Sequence, residues 1–268
     1  MKGTYRERLA TLTEARGNLC VGIDPMPSVL DAWEAPHTVA GLEQVARGIV
    51  EELGERVAVY KPQAAFFDPY GSAGIAVLER VLADIRDVGS LSILDVKRGD
   101  IGSSLSGYAQ AYLAPDAPLR ADAITLSPYL GVDALLPAFK LAKETRRGVY
   151  VLARTSNPEG GELQTAVTGA GRSVAQSVLD RMTALNEDFD GLIGAVLGAT
   201  HRDLGCDPES FNGSILAPGL GAQGATLAGL AETFGNAIPY VLPTASRQVI
   251  GQGRSALTLR FDSLLSQS

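Results

Sequence analysis

The sequence predicts an α/β fold, a single-domain (β/α)8 TIM barrel over residues 1–268. Short β-rich runs alternate with helical stretches roughly eight times, and no linker or composition break divides the chain. The length of 268 residues also suits a barrel, which typically takes about 250 residues. A doubly wound open sheet is the alternative, but no G-x-G-x-x-G opens a helix after the first candidate strand. A closed barrel is therefore favoured.

The candidate elements follow one another in the order that a barrel requires. Strands are expected at Leu19–Asp24, Val57–Lys61, Leu91–Lys97, Ala123–Ser127, Gly148–Arg154, Gly191–Gly198, Ser214–Pro218 and Ile238–Pro243. The segments between them carry apolar residues at helical spacing. Helices are expected at Val39–Leu53, Ile75–Val88, Val132–Lys143, Ser173–Leu185 and Thr226–Phe234, and from about Arg247 onward.

Composition excludes several functional classes. The formal net charge of -7 argues against an electrostatic nucleic-acid binder. No run approaches about 18 apolar residues, so no membrane span is expected. The 2 His and 2 Cys residues leave few ligands for a zinc site and too few thiols for a disulfide framework. Without an export signal, we expect a cytoplasmic protein that has no metal and no nucleic-acid or membrane partner.

The segment Leu94–Gly102 is the most informative motif, because it places Asp95, Lys97 and Asp100 close together at the end of an apolar run. In an extended strand, Asp95 and Lys97 point to the same face. A solvated strand end with an ordinary ion pair would explain the pattern equally well, since such pairs contribute only about 0–1 kcal/mol. The motif alone therefore leaves both interpretations open.

Polar side chains at the ends of other strands favour the functional interpretation. Active sites of such barrels lie where the strands end and the following loops begin. The residues at these positions are Asp24, Lys61, Asp95 with Lys97, Ser156, the segment Gly219–Gly224, and Ser246 with Arg247. Their convergence at the same end of six of about eight units predicts one shared site.

A phosphate site is expected after strands seven and eight. The glycine-rich segment Pro218–Gly224 lets backbone N–H groups approach an anion, and Gln223 can donate an amide hydrogen bond. We expect Ser246 to cap the final helix and Arg247 to bind phosphate oxygens with its planar guanidinium. On the other side of the site, Arg154 begins a long polar loop that runs to about Gly171, with Ser156 able to bond a heterocycle.

These motifs together resemble the orotidine 5′-monophosphate decarboxylase family, most closely its longer bacterial (type 2) form. The resemblance rests on L-D-V-K-R-G-D-I-G at Leu94–Gly102 with Val-Tyr-Lys-Pro upstream, and it covers nearly the whole chain. Supporting matches are Gly22–Pro25, Ser127–Gly131, Arg154–Pro158, Pro218–Gln223 and Ser246–Arg247. Two departures are Ser104, where the family often has threonine, and the turn before Arg247, which lacks a preceding glycine.

The resemblance implies decarboxylation of orotidine 5′-monophosphate to UMP and CO2, the last step of de novo pyrimidine synthesis, without metal or organic cofactor. It implies that Lys97 protonates carbon 6 of the ring while Asp95 lies against the substrate carboxylate. Asp24 and Lys61 would hold the ribose, Ser156 the pyrimidine, and Gln223 and Arg247 the phosphate. The resemblance also implies a homodimer in which Asp100 reaches the neighbouring site, with Ile101 and Ser104 beside it.

Three alternatives remain open at this point. Related barrels with a similar D-x-K-x-x-D element act on sugar phosphates, and some use a magnesium-bound enediolate. A Schiff-base aldolase would use Lys61 or Lys97, but flanking carboxylates favour the ammonium form of these lysines. The third alternative is a non-catalytic nucleotide-binding protein, which would need the phosphate site but would not need the charged residues of the Leu94–Gly102 motif.

Overall fold

The computed structural model describes residues 3–221, 224 and 226–267, and its strands form a closed barrel. All neighbouring strands are parallel, they follow one another in chain order, and the first pairs with the last. The strands are β1 (Cys20–Ile23), β2 (Val59–Pro62), β3 (Leu91–Arg98), β4 (Ala123–Leu126), β5 (Gly148–Arg154), β6 (Ile193–Leu197), β7 (Ile215–Pro218) and β8 (Val241–Ala245). The predicted (β/α)8 barrel is confirmed, whereas the domain bounds 1–268 stay a prediction.

Helices connect the strands and surround the barrel. They are α1 (Tyr5–Arg16), α2 (Pro27–Ala32), α3 (Val39–Leu53), α4 (Gly71–Asp87), α5 (Gly102–Leu113), α6 (Leu136–Glu144), α7 (Gly161–Gln164), α8 (Val174–Asn186), α9 (Leu227–Phe234), α10 (Arg247–Ile250) and α11 (Leu257–Leu265). Helix α3 has the bounds that its periodicity predicts. The side chain of Thr38 accepts a hydrogen bond from the Gly41 N–H at its start, and Gly54 ends it with a φ of 51°.

Prolines explain two differences from the predicted bounds. The eighth strand was expected at Ile238–Pro243, but β8 begins at Val241, and a 3-10 helix occupies Gly235–Tyr240. Pro239 has no N–H to donate to a central sheet, which excludes it from the strand. Helix α6 begins at Leu136 rather than Val132, because Pro137 is accommodated only in the first turn of an α-helix.

The hydrophobic core has an inner and an outer layer. Inside the barrel, a buried cluster fills the end where the strands begin, with Tyr5, Cys20 and Tyr150 among its members. A larger buried cluster lies between the strands and the helices around them. This packing fills the barrel interior where the strands begin, and a cavity opens at the carboxyl ends of the strands.

Helix α1, which hydrophobic periodicity did not identify, covers the amino-terminal end of the barrel. Its Tyr5 ring packs edge-on against Tyr150, and the two hydroxyl oxygens lie 3.0 Å apart. The hydroxyl of Ser214 donates to that of Tyr150 at 2.9 Å. Gly148 makes room for the Tyr5 ring, because a Cβ there would lie 2.4 Å from a ring carbon.

Candidate active site

A buried carboxylate between two lysines forms the centre of the site. Asp95 ends the buried part of β3, and its Oδ2 lies 3.1 Å from Lys61 Nζ on β2. Its Oδ1 lies 2.7 Å from Lys97 Nζ. The side chains of Asp95 and Lys61 are 8% and 7% exposed, whereas that of Lys97 is 46% exposed. Lys97 is therefore the most exposed member of this group.

Two residues that sequence reasoning missed complete the surroundings of Asp95. The hydroxyl of Thr125 donates to Oδ1 at 2.7 Å, and Nε2 of Gln63 donates to Oδ2 at 3.0 Å. Each carboxylate oxygen thus accepts two hydrogen bonds, which fixes the orientation of the group. Thr125 lies in an ordinary apolar strand, so nothing in the sequence distinguished it. Gln63 could have been suspected because it directly follows Lys61-Pro62 at a strand end.

The backbone at Lys97 departs from a regular strand. Its φ is +44°, in the left-handed region that residues with a side chain rarely adopt, and the register of β3 with β4 shifts between Leu94 and Arg98. The Lys97 N–H donates to Thr125 Oγ1 at 2.9 Å. The strand is therefore irregular at Lys97, and the predicted meeting of the Lys97 and Asp95 charged groups occurs within this irregular backbone.

The charges of the site hold its central groups ionised. Burial raises the pKa of Asp95, but Lys61 and Lys97 outweigh it and bring that pKa well below its usual range. Burial lowers the pKa of Lys61, and the carboxylates of Asp95 and Asp24 outweigh it in the same way, so the net shift is upward. The buried pair is therefore an ion pair throughout the neutral range.

A cavity of about 370 Å³ opens above this pair and joins most of the residues that the sequence singled out. The side chains of Leu152, Val196 and Leu216 form an apolar part of the cavity wall. The predicted site residues that line it are Asp24, Lys61, Asp95, Lys97, Ser156, Pro218, Ser246 and Arg247. One end of the cavity thus holds carboxylates and lysines, and the other end holds Arg247 beside Gly219.

Two oxygens of residues that line this cavity are buried without a hydrogen-bond partner among the described residues. They are Asp24 Oδ1 and Ser246 Oγ. Gly22 allows Ser246 to approach β1, because a Cβ there would lie 2.7 Å from Ser246 Cβ. Buried polar atoms without partners are rare, so both atoms are candidate contacts for a polar ligand.

Ser246 occupies the N-cap position that the sequence predicts, but the expectation that its side chain caps the helix was wrong. Ser246 precedes α10, but its side chain makes no capping hydrogen bond, and α10 ends after Ile250. Gly253 follows with a φ of +83°, before α11 begins at Leu257. The segment is divided because Gly253 packs closely on the Ala32 carbonyl, which a Cβ would approach to 2.5 Å.

Glycines and Arg247 border the other end of the cavity. Pro218 ends β7, and Gly219 and Gly221 follow it with φ values of 118° and 68°. These values favour glycine and turn the chain sharply after the strand. The exposed Arg247 side chain lines the same end of the cavity. Gln223, the other predicted phosphate contact, lies outside the described residues.

Three predicted residues do not line this cavity. Asp100 is half-buried, and its Oδ1 accepts the Ile101 N–H at 2.8 Å. Ile101 is 60% exposed, and Ser104 is exposed on the first turn of α5. All three side chains lie on the loop and helix that follow β3.

The described residues contain no group of three or more His, Cys, Asp or Glu side chains that could hold a metal ion. No helix in the described part of the chain is long and apolar enough to cross a membrane.

The fold and the site define a TIM-barrel protein with a buried carboxylate–lysine centre at the carboxyl ends of its strands. Comparison with known proteins specifies the class further. The model of the orotidine 5′-phosphate decarboxylase / HUMPS family matches residues 17–259. The chain belongs to this family.

Curated relatives and solved structures agree with this assignment. Proteins named orotidine 5′-phosphate decarboxylase from Salinispora tropica and Streptomyces coelicolor are 52% and 51% identical to this chain. Each alignment covers 96% of this chain and 93% of the relative. A crystal structure from Streptomyces avermitilis, described by the same activity, has a TM-score of 0.93 at 47% identity and covers 99% of this chain and 95% of its own.

Proposed function

We propose that this protein decarboxylates orotidine 5′-monophosphate to UMP and CO2, the last step of UMP synthesis. Relatives at about half identity over nearly the full chain are named for this activity. The observation that carries the proposal is the array Lys61–Asp95–Lys97 at the base of the cavity, with distances of 3.1 and 2.7 Å. A protein that only bound a nucleotide would not require a reachable lysine fixed beside a buried carboxylate.

The array suits the chemistry of the reaction. Loss of CO2 leaves an electron pair on carbon 6 in the plane of the ring, where no π-system delocalises it. The Lys97 ammonium stabilises that pair electrostatically and then donates its proton to it, which gives UMP. Asp95 orients Lys97 and lies against the departing carboxylate. Solvent returns the proton to Lys97, so that one proton is consumed for each CO2 released.

The remaining cavity residues suit the ribose, the base and the phosphate. Asp24, whose Oδ1 is buried without a partner, and Lys61 bind the ribose hydroxyls. Ser156 binds the pyrimidine at the β5 side of the cavity. The phosphate lies at the opposite side, and the residues that bind it are Pro218, Gln223, Ser246 and Arg247.

We extend the proposal to a homodimer in which Asp100 completes the neighbouring site. Ile101 and Ser104 accompany it there, which accounts for their exposure on a single chain. Tyr129 and Leu130 in the loop after β4 are 77% and 53% exposed. This loop adjoins the one that carries Asp100, since the Ser127 N–H donates to the Arg98 carbonyl at 2.8 Å. Apolar side chains exposed in adjoining loops support an interface.

The proposed reaction needs no metal or organic cofactor, because the ammonium of Lys97 supplies both the electrostatic stabilisation and the proton. A cytoplasmic location is part of the same proposal, supported by the free thiols of Cys20 and Cys206.

Ultraviolet loss of orotidine monophosphate on addition of purified, EDTA-treated protein tests the proposal. We expect rapid conversion that Lys97→Ala reduces by at least about 10²–10⁴-fold, the contribution of a positioned general acid. Activity that depends on added magnesium would favour a sugar-phosphate enzyme. Trapping of a substrate by borohydride would favour a Schiff base. UMP binding without turnover would leave a nucleotide-binding protein.

A further inference from the structure

We infer that Gln164 and His201 are positioning residues that hold Ser156 in place to bind the base. The inference rests on the proposed function, in which Ser156 contacts the pyrimidine. Neither residue lines the cavity. Gln164 ends α7 in the long loop after β5, and His201 lies in the loop after β6. Both act through the backbone that leads into Ser156.

Hydrogen bonds from three directions fix that backbone. The Thr155 N–H donates to Gln164 Oε1 at 3.0 Å. The Thr155 carbonyl accepts from His201 Nε2 at 2.8 Å. The Ser156 carbonyl accepts from the Thr200 hydroxyl at 2.8 Å. The peptide groups on either side of Ser156 are thus held by side chains, where a regular strand would use its neighbour's backbone.

Arg154 joins the two positioning residues into one network. Its guanidinium is buried with 6% exposure, and it forms no ion pair within the part of the chain that the structure describes. One terminal nitrogen donates to Gln164 Oε1 at 3.1 Å, and the other lies 3.4 Å from His201 Nδ1. Because arginine only donates, Nδ1 accepts from Arg154, and Nε2 donates to the Thr155 carbonyl. This assignment satisfies every contact of the imidazole.

Because of this network, binding of the base depends on the loop after β5, whereas binding of the phosphate does not depend on that loop. Gln164 is the anchor of that loop, since its Nε2 also donates to the Thr155 hydroxyl at 2.9 Å. The phosphate end of the cavity is built by Pro218 at the end of β7 and by Arg247 after β8. Neither makes a hydrogen bond with Gln164 or His201 among the described residues. Loss of the network should therefore weaken ligands that carry a base and spare those that do not.

Calorimetric titration with UMP and with ribose 5-phosphate separates the two effects. For Gln164→Leu we expect UMP to bind about tenfold more weakly, the loss typical of one or two neutral hydrogen bonds, with ribose 5-phosphate binding unchanged. Gln164→Glu keeps the acceptor for Thr155 and Arg154, so it should retain UMP affinity. Glu162→Gln, on the exposed side of the same short helix, is the matched control and should change neither ligand.

A double-mutant cycle with Ser156→Ala tests whether the effect passes through Ser156. We expect Ser156→Ala with Gln164→Leu to bind UMP no more weakly than Ser156→Ala alone, because the network then has nothing to position. His201→Leu should show the same ligand selectivity as Gln164→Leu, and His201→Gln, which keeps a donor and an acceptor, should restore affinity.

Equal weakening of both ligands, additive losses in the cycle, or unfolding of Gln164→Leu and His201→Leu would overturn the inference. In those cases the contacts would maintain the fold without positioning Ser156. Unchanged UMP affinity in Gln164→Leu would overturn it as well. Wild-type turnover of orotidine monophosphate is measured separately, so a failure of the proposed function is recognised independently of these titrations.

Discussion

At the scale of the residue, the hydroxyl of Thr125 connects the two groups on which the proposed chemistry depends. It donates to Asp95 Oδ1 at 2.7 Å and accepts the Lys97 N–H at 2.9 Å. The second bond holds Lys97 in a backbone conformation with a φ of +44° that is otherwise unfavourable. One buried hydroxyl thus positions both the carboxylate and the lysine.

We predict that Thr125→Val lowers kcat by about 10–100-fold and stability by about 1–3 kcal/mol, because the Lys97 N–H loses its partner and the Asp95 carboxylate loses one of its donors. Thr125→Ser, which keeps the hydroxyl, should recover most of kcat. Steady-state assays and urea unfolding of both variants provide the measurement. A Val variant with wild-type kcat would show that the left-handed backbone of Lys97 does not depend on this bond.

The Lys61–Asp95 ion pair sets a second expectation, for the dependence of stability on pH. The pKa of Asp95 is lowered by folding, so its contribution is present above its unfolded pKa of about 3.9 and is lost as the pH falls further. The pKa of Lys61 is raised, so its contribution is present below about 10.4 and is lost as the pH rises through the folded value.

We therefore predict that Lys61→Met costs about 3–5 kcal/mol, because it leaves a buried carboxylate with less compensation, and that the cost is constant from about pH 5 to 9. Urea unfolding at several pH values measures it. Arg47→Met, which breaks an exposed pair with Asp84, is the control and should cost no more than about 1 kcal/mol. A cost for Lys61→Met that changed within this pH range would contradict the ionised pair.

At the scale of the element, helix α1 stabilises the barrel without reaching the site. Tyr5 is 2% exposed, and it packs on Tyr150 at the end of the barrel where the strands begin. The cavity lies at the opposite end, where they finish. Stability and catalysis are therefore separated along the barrel axis, as is common in this fold.

We predict that Tyr5→Ala destabilises the protein by about 3–5 kcal/mol, because it leaves a large cavity in a filled core. Tyr5→Phe removes only the hydroxyl contact with Tyr150 and should cost about 0.5–1.5 kcal/mol. Thermal unfolding measures both effects. The kcat of each folded variant should equal that of the wild type, and a reduced kcat would show that the two ends of the barrel are coupled.

At the scale of the whole molecule, we propose that the site is complete only when two chains meet. Asp100 lies outside the cavity of its own chain, on the loop after β3. Lys97 lies inside the cavity. The two residues would therefore serve different sites of one dimer.

We predict that inactive Lys97→Ala and inactive Asp100→Asn complement each other when their subunits exchange. One site of each hybrid dimer carries both defects and the other carries none, so roughly a quarter of wild-type activity should return if half the dimers are hybrids. Exchange is followed by fluorescence transfer between labelled chains. Exchange without recovery of activity would place Asp100 in the site of its own subunit.

The sequence alone determined the barrel and predicted most of the charged residues that line its cavity, because both depend on local patterns. Alternating apolar runs specify strands and helices, and parallel strands must bring their carboxyl ends together, which assembled Asp24, Lys61, Asp95 and Lys97 from three separate motifs. The roles proposed for these four residues follow from their resemblance to the family, and the family model that matches residues 17–259 supports the same family.

Only the tertiary structure decided the contacts that depend on distant parts of the chain. Thr125 reaches Asp95 from β4, Gln63 reaches it from the end of β2, and His201 reaches the Thr155 carbonyl from the loop after β6. Helix α1 forms in spite of weak periodicity because Tyr5 fills the open end of the barrel. Such contacts have no local signature, since their free energy comes from burial and hydrogen bonds between segments that meet only after the barrel has closed.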